Sequence, residues 1–317
     1  MEILLSFGKW MQEMLRLPDG AWKQMPEFSD AASANPFFTF DEMARTMAVF
    51  ADALNDSGFN RLMEHIPVYF QDNQMVTVIL DADNIFSGLK EWVYAVGLPS
   101  PVTFFMPEKN AGFLKGIHHL YQQYSGQNTP VVFTKDTLSQ NGWLLTNGLR
   151  KQETVKQNYF QQNPKTILRY RHRSVAVLDG NETSRQLQSL AAAVMHFFGL
   201  APFSISKVLV PVHYDFVPLL DAFESFRSYA FHHHYASHYE YYKSLFLLNG
   251  DVFFDNGVVL LKSASEIISP PGVLYFDYKS SENLRQHRPK NNQEVLALLN
   301  PYSTGNSFSE TIEMLVL

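Results

Sequence analysis

Two spacings of apolar residues alternate along the chain. From residue 1 to 74 they recur at helical intervals. Ile3, Leu4, Phe7, Met11, Met14 and Leu15 define one amphipathic segment. The Pro-, Ser- and Asn-rich stretch from Pro18 to Pro36 reads as a loop. Thr39 and Glu42 then have capping-box spacing ahead of Met43, Met47, Phe50 and Leu54. From Val76 the pattern changes to short apolar runs separated by helical stretches. Val76–Leu80, Val102–Phe105, Val131–Phe133 and Gly142–Thr146 predict strands; Phe86–Val96, Leu114–Tyr124 and Glu153–Gln161 predict helices. Strands alternating with helices predict a mostly parallel sheet of nucleotide-binding type.

A second alternation begins at Arg171. Ser174–Leu178 predicts a strand and Asp179-Gly-Asn-Glu182 a turn. Leu187, Leu190, Ala191, Val194, Met195 and Phe198 then form one helical stripe, with Thr183 and Gln186 as its capping box and Gly199 as its stop. Val208–Pro211 predicts the next strand, and Phe216–Tyr229 a helix with Pro218 in its first turn. A His/Tyr segment follows, then three apolar runs: Leu245–Leu248, Val258–Leu261 and Val273–Phe276. Residues 279–294 are polar and loop-like. The expected organisation is a helical segment over 1–74, a nucleotide-binding type of α/β domain over 75–167, and a second α/β domain over 168–317.

Composition narrows the classes. Hydrophobic residues are 46% of the 317 and charged residues 18%, which describes a chain with a substantial core. A net charge of −6 without a basic cluster argues against a nucleic-acid surface. The chain contains no cysteine, which excludes disulfides and thiolate metal sites. Glu2, Lys9 and Trp10 interrupt the first apolar run in a way a secretory signal does not, and no uncharged run is long enough to span a bilayer. The chain reads as a soluble cytoplasmic protein.

Several motifs carry a family likeness. Arg171-x-x-Ser174-Val-Ala-Val-Leu178, Gly180-Asn-Glu-Thr183, Phe198-Gly-Leu200, Ser206-Lys-Val208 and Tyr214-Asp-Phe216 run in series. They continue through His232-His-His-Tyr-Ala236, Asn249, Asp255-Asn-Gly-Val258 and Leu260-Leu-Lys262. Together they resemble the acyl-CoA reductase (LuxC-type) family of the aldehyde dehydrogenase superfamily, closely over the second half of the chain. The resemblance implies an aldehyde dehydrogenase-like fold, a Rossmann-like cofactor domain followed by an α/β thioester domain. It also implies NADPH-dependent reduction of a fatty acyl thioester through a cysteine nucleophile.

The expected site residues depart from that pattern. The family's cysteine motif, Phe-Gly-Leu-Gly-Cys, corresponds to Phe198-Gly-Leu-Ala-Pro202, so Pro202 stands at the nucleophile position. Ser204 is close by, but an unactivated hydroxyl is a poor nucleophile. Asn84, after the first strand, corresponds to the family's oxyanion donor, or is an ordinary turn residue. Phe105 falls where a lysine normally binds the cofactor ribose. A third turn, normally Thr-Gly-Ser, reads Thr146-Asn-Gly148-Leu-Arg150-Lys151; Thr146, Gly148 and Arg150 are the cofactor-binding candidates for NADP.

Two further groups are open. His234 and His238, one helical turn apart with Glu240 nearby, have metal-ligand spacing; the alternative is a role in lining an acyl or carrier pocket or an interface. Arg169, Arg171 and Arg173, on one face of one strand, would meet a phosphate-bearing carrier or line a solvated edge. Two functions follow. One is a non-catalytic homologue that binds an acyl thioester, an acyl carrier protein or an active reductase as partner; the other is a working NAD(P)H-dependent reductase.

Overall fold

The computed structural model describes residues 2–17, 20–55, 66–71, 73–80, 84–135, 142–149, 162–170, 173–201, 204–279 and 295–299, with isolated residues between 57 and 64. For residues 109, 110, 147–149, 169, 170 and 295–299 it describes backbone only. The chain divides into two compact units, Met1–Arg171 and His172–Leu315.

In the first unit, α1 (Glu2–Arg16) buries Leu4, Phe7 and Met11 of the predicted stripe together with Gly8, while Ile3, Met14 and Leu15 are half-buried. The expected loop over 18–36 contains a helix, α2 (Pro26–Ala34). Pro26 sits in the first turn, where its missing N–H costs nothing, and Phe28 and Ala31 point inward. α3 (Phe40–Ala53) starts at the predicted cap: Thr39 Oγ1 accepts from the Glu42 N–H at 3.2 Å. A short helix, α4 (Val68–Gln71), precedes the sheet.

Five parallel strands follow: β1 (Val76–Leu80), β2 (Val102–Phe105), β3 (Val131–Thr134), β4 (Trp143–Leu149) and β5 (Thr166–Tyr170). Their order is β3-β2-β1-β4-β5. α5 (Leu89–Gly97) and α6 (Glu108–Ser125) connect the first three. β1 is buried along its whole length, as a central strand covered on both faces must be. Gly142 lets β4 enter beside β1. Its φ is +89°, and a Cβ there would lie 2.1 Å from the Met75 carbonyl oxygen.

The second unit holds a six-stranded sheet in the order β11-β6-β7-β10-β9-β8. Its strands are β6 (Arg173–Val177), β7 (Ile205–Pro211), β8 (Phe253–Asp255), β9 (Leu260–Ser263), β10 (Val273–Lys279) and β11 (Val295–Leu299). All pairs are parallel except β8 with β9. α7 (Ser184–Met195) opens with the predicted capping box in both directions. α8 (Val217–Ala222) continues as a 3₁₀ helix over Phe223–Phe231, and α9 spans His233–Asn249. The apolar run Leu245–Leu248 is thus the end of a helix, whereas Val258–Leu261 and Val273–Phe276 contribute to strands. No helix among the described residues is long and apolar enough to cross a membrane.

Candidate functional site

In the first sheet the chain order reverses between β1 and β4, which makes the carboxyl ends of those two strands a topological switch point. Such a switch point is where open α/β sheets take ligands. Asn84 follows β1. Its Oδ1 accepts from the Phe86 N–H at 2.9 Å and its carbonyl from the Ser87 N–H at 3.1 Å, which makes an Asx turn. The turn employs the amide oxygen; an oxyanion would need the amide nitrogen. Gly88 ends the turn with φ +85°, where a Cβ would lie 2.7 Å from Leu80 Cδ1 and 2.9 Å from Leu114 Cδ2. Only glycine allows α5 to start that close to β1.

Opposite Asn84, Ile79 and Leu80 pair with Thr146 and Asn147. The segment read as a third turn is strand through Leu149, with an irregularity between Thr146 and Leu149 where it pairs with β5. The strand continues because β5 supplies a ladder partner on its far side. Gly148 therefore lies on β4 just past the end of β1, and the Thr146 side chain is buried, 1% exposed. Arg150 lies outside the described residues. The fold thus brings Asn84, Thr146 and Gly148 to the same end of the sheet.

The fit to a dinucleotide is poor at these positions. Phe105, half-buried at the end of β2, has no donor for a ribose hydroxyl, and the Thr146 hydroxyl is packed inside the unit. A cavity of about 200 Å³ does open at the ends of β2 and β3, lined by Met106, Glu108, Ala111, Lys115, Phe133, Thr134 and Lys135. Glu108 Oε2 meets Lys135 Nζ at 2.6 Å, and that hydrogen bond holds its carboxyl below the usual range. Sequence reasoning missed this cavity. The available signal was Glu108, Ala111 and Lys115 on one face of a helix that starts at the carboxyl end of a parallel strand.

In the second unit, α7 leads into a left-handed turn. Phe197 has φ 57° and ψ 32°, Phe198 has φ 56° and ψ 27°, and Gly199 has φ 69°. A left-handed non-glycine residue costs about 1–2 kcal/mol. Both rings are buried, which offsets that cost at roughly 1.5–3 kcal/mol each. The Phe198 ring packs 4.5 Å from Tyr229 and 4.6 Å from His232, centroid to centroid. His232 in turn caps α9, accepting from the Tyr235 N–H at 3.3 Å. The aromatic segment therefore holds the strained turn.

Beyond the turn, the Ala201 carbonyl accepts from Arg173 Nη1 at 3.1 Å and from the Ser204 N–H at 3.0 Å. Pro202 lies outside the described residues. Ser204 is 1% exposed, and among the described residues no side chain hydrogen-bonds its Oγ as an activating base would. Arg173 is itself buried, on β6, whereas Arg169 is on β5 of the other unit and Arg171 is outside the described residues. The arginines do not form one face of one strand. The chain breaks between units there, and Arg173 is spent on the Ala201 loop.

The remaining polar motifs of this unit are structural pins. Lys207 is buried; its Nζ donates to the Ala264 and Ser265 carbonyls at 2.6 and 3.0 Å, and burial pushes its pKa down. Asp255 accepts from the Tyr239 hydroxyl, from Lys243 at 2.8 Å and from the Gly257 N–H at 2.7 Å. Burial alone would raise its pKa, but these donors hold it below the usual range. His234, His238 and Glu240 all lie on α9, and the described residues contain no group of three or more side chains placed to hold a metal ion.

Two units of this kind, one on a parallel sheet and one on a mostly parallel sheet, define a class. The chain has an aldehyde dehydrogenase-type α/β fold. It is similar to a NAD-dependent aldehyde dehydrogenase from Sinorhizobium meliloti, at TM-score 0.56 and 11% identity over 89% of this chain. It spans 65% of that enzyme's chain. It is also similar to a succinic semialdehyde dehydrogenase from Streptococcus pyogenes solved with NADP+, at TM-score 0.54 and 11% identity, covering 99% of this chain and 84% of the other. PnpE from Pseudomonas sp. WBC-3 matches at TM-score 0.53 and 11% identity, covering 94% and 76%. No protein-family model and no curated protein matches the sequence.

Proposed function

We propose that this chain is a divergent homologue of the LuxC-type acyl-CoA reductases that has lost catalysis. It serves as a binding or partner protein in acyl thioester metabolism, for an active reductase or an acyl carrier. One observation carries this reading: no cysteine exists anywhere in the 317 residues. The thioester exchange of that family depends on thiolate nucleophilicity near neutral pH.

The geometry supports the reading from two directions. Ser204, the hydroxyl nearest the lost nucleophile in sequence, is buried without a hydrogen-bonded base among the described residues. At the switch point, Phe105 and the buried Thr146 do not offer a nicotinamide dinucleotide the polar contacts implied by the resemblance. Asn84 favours the second reading, an active NAD(P)H-dependent reductase, because it keeps an amide nitrogen for an oxyanion. In that reading Thr146, Gly148 and Arg150 carry the cofactor contacts, with NADP as the family's choice.

The covalent first step separates the two. After incubation with a long-chain acyl-CoA, intact-protein mass spectrometry should show the unmodified 36.3 kDa chain alone. A stoichiometric acyl adduct would reveal a working nucleophile and overturn the non-catalytic reading.

A further inference from the structure

Four Asn-Gly pairs occur in the chain, at 141–142, 147–148, 249–250 and 256–257. Glycine has no side chain to shield its backbone nitrogen, so that nitrogen can attack the asparagine before it. The nitrogen bonds to Cγ, its proton leaves with the side-chain amide as ammonia, and a succinimide ring closes. Water then opens one of the two ring carbonyls. The product is aspartate, or isoaspartate with the main chain routed through Cβ. In a folded chain two restraints oppose the attack: hydrogen bonds on the asparagine amide, and whatever holds the glycine N–H.

Two of the pairs lie seven residues apart and are held in opposite ways. Asn256 commits its whole side chain. Its Oδ1 accepts from the Val258 and Val259 N–H groups, both at 3.0 Å. Its Nδ2 donates to the Leu220 carbonyl at 2.9 Å and to Glu224 Oε1 at 3.3 Å. The attacking group is held too, since the Gly257 N–H donates to Asp255 Oδ1 at 2.7 Å. Asn249, the last residue of α9, is exposed, and no hydrogen bond among the described residues holds its amide. Gly250 follows with φ 69°, and even a Cβ there would meet nothing within 4 Å. Its N–H donates to the Phe246 and Leu247 carbonyls, so the helix end is the restraint. Leu247, Leu248 and Asn249 are all exposed, and opening that last turn uncovers no core. Of the other pairs, Asn147 is fixed in the β4 ladder opposite Leu80, and Asn141 lies outside the described residues.

We propose that Asn249 is a self-modification site, converting to aspartate and isoaspartate with water as the co-reactant, while Asn256 keeps its amide. The conversion places a new carboxylate at the C-terminal end of α9, where the helix dipole disfavours negative charge. That charge arises two residues before Asp251, which Lys262 holds at 2.5 Å. In the isoaspartyl form the extra backbone atom also displaces the Gly250 N–H from the carbonyls that it caps. The second unit thus gains, over time, a charge and a loosened cap at one defined helix end.

Peptide mass mapping of the full chain, aged in warm and mildly alkaline buffer, tests this. Fragmentation that distinguishes isoaspartate from aspartate identifies the product at each position. In the folded chain the amide of Asn249 should be lost about tenfold faster or more than that of Asn256, with isoaspartate among the products. In urea the two should convert at similar rates, because only the shared Asn-Gly sequence then matters. Asn249→Gln should remove the conversion at that position and leave Asn256 as it was. Folded protein that converts no faster at 249 than at 256 overturns the proposal. So does an Asn249 that keeps its amide for as long as the urea-unfolded chain takes to lose it.

Discussion

Lowering the pH from 7.5 to 5 charges histidines, and one of them cannot accept that charge without loss. His118 is 7% exposed on α6, with its ring 5.6 Å from Phe133 and its Nδ1 accepting from Trp92 Nε1 at 3.2 Å. Burial, helped by neighbouring His119, brings its pKa from 6.5 down to about 4. A proton on Nδ1 would also remove the acceptor that Trp92 uses. Between those values the unfolded chain binds the proton and the folded chain does not. The stabilisation is therefore complete above pH 6.5 and is lost as pH falls toward 4. At about 1.36 kcal/mol per unit, the loss reaches about 2 kcal/mol by pH 5. All four tryptophans, Trp10, Trp22, Trp92 and Trp143, belong to the first unit, so urea unfolding followed by tryptophan fluorescence reports on it alone. His118→Gln keeps an acceptor and does not titrate. The difference between wild type and variant should shift by about 2 kcal/mol between pH 7.5 and 5, with wild type losing more. Parallel losses in both proteins would refute the argument.

Other tests address the site and the pins. NADPH titrated by calorimetry should bind at least roughly 30- to 150-fold more weakly than a site with the two polar contacts that Phe105 and Leu149 lack, at about 1–1.5 kcal/mol per hydrogen bond. Low-micromolar affinity would show that other contacts maintain the site. Pro202→Cys with Ala201→Gly should take up an acyl group from acyl-CoA, seen as added mass, yet release no aldehyde, because nucleophile and cofactor act as a unit. Turnover in that variant would mean that only one group is missing. Lys207→Met should cost about 2 kcal/mol by leaving the Ala264 and Ser265 carbonyls without their buried donor. A thermal midpoint equal to wild type would show that this turn holds without it.

The parts of the fold that were legible in sequence are those with local causes. The N-cap at Thr39, the capping box at Thr183, the core of the α1 stripe and the α7 stripe depend on neighbours three or four residues away, and the structure has them. α2 was not legible, because only Phe28 and Ala31 mark its inner face among Pro, Glu, Ser, Asp and small Ala residues. β11 was overlooked for a similar reason, a five-residue apolar run beside a long polar stretch. The site was harder. Gly148 and Leu149 looked like a turn after the predicted strand, and beyond the last β1 pair at Asn147 only the long-range pairing of β4 with β5 at Leu149 makes that stretch strand. Phenylalanine carries no signal for positive φ, so the left-handed turn at Phe197 and Phe198 depends on packing against Tyr229 and His232. Arg173 is a common surface residue type, and its burial under the Ala201 loop follows only from the pairing of β6 with β7.

The central claim is that an aldehyde dehydrogenase-type fold persists here without the family's chemistry. Its most direct test is steady-state turnover of the purified chain with long-chain acyl-CoA and NADPH or NADH, following both aldehyde and oxidised cofactor. With no thiol in the sequence, neither product should rise above the protein-free control at any protein concentration. Aldehyde formed at a rate proportional to the amount of protein, with equimolar oxidation of the cofactor, would contradict it.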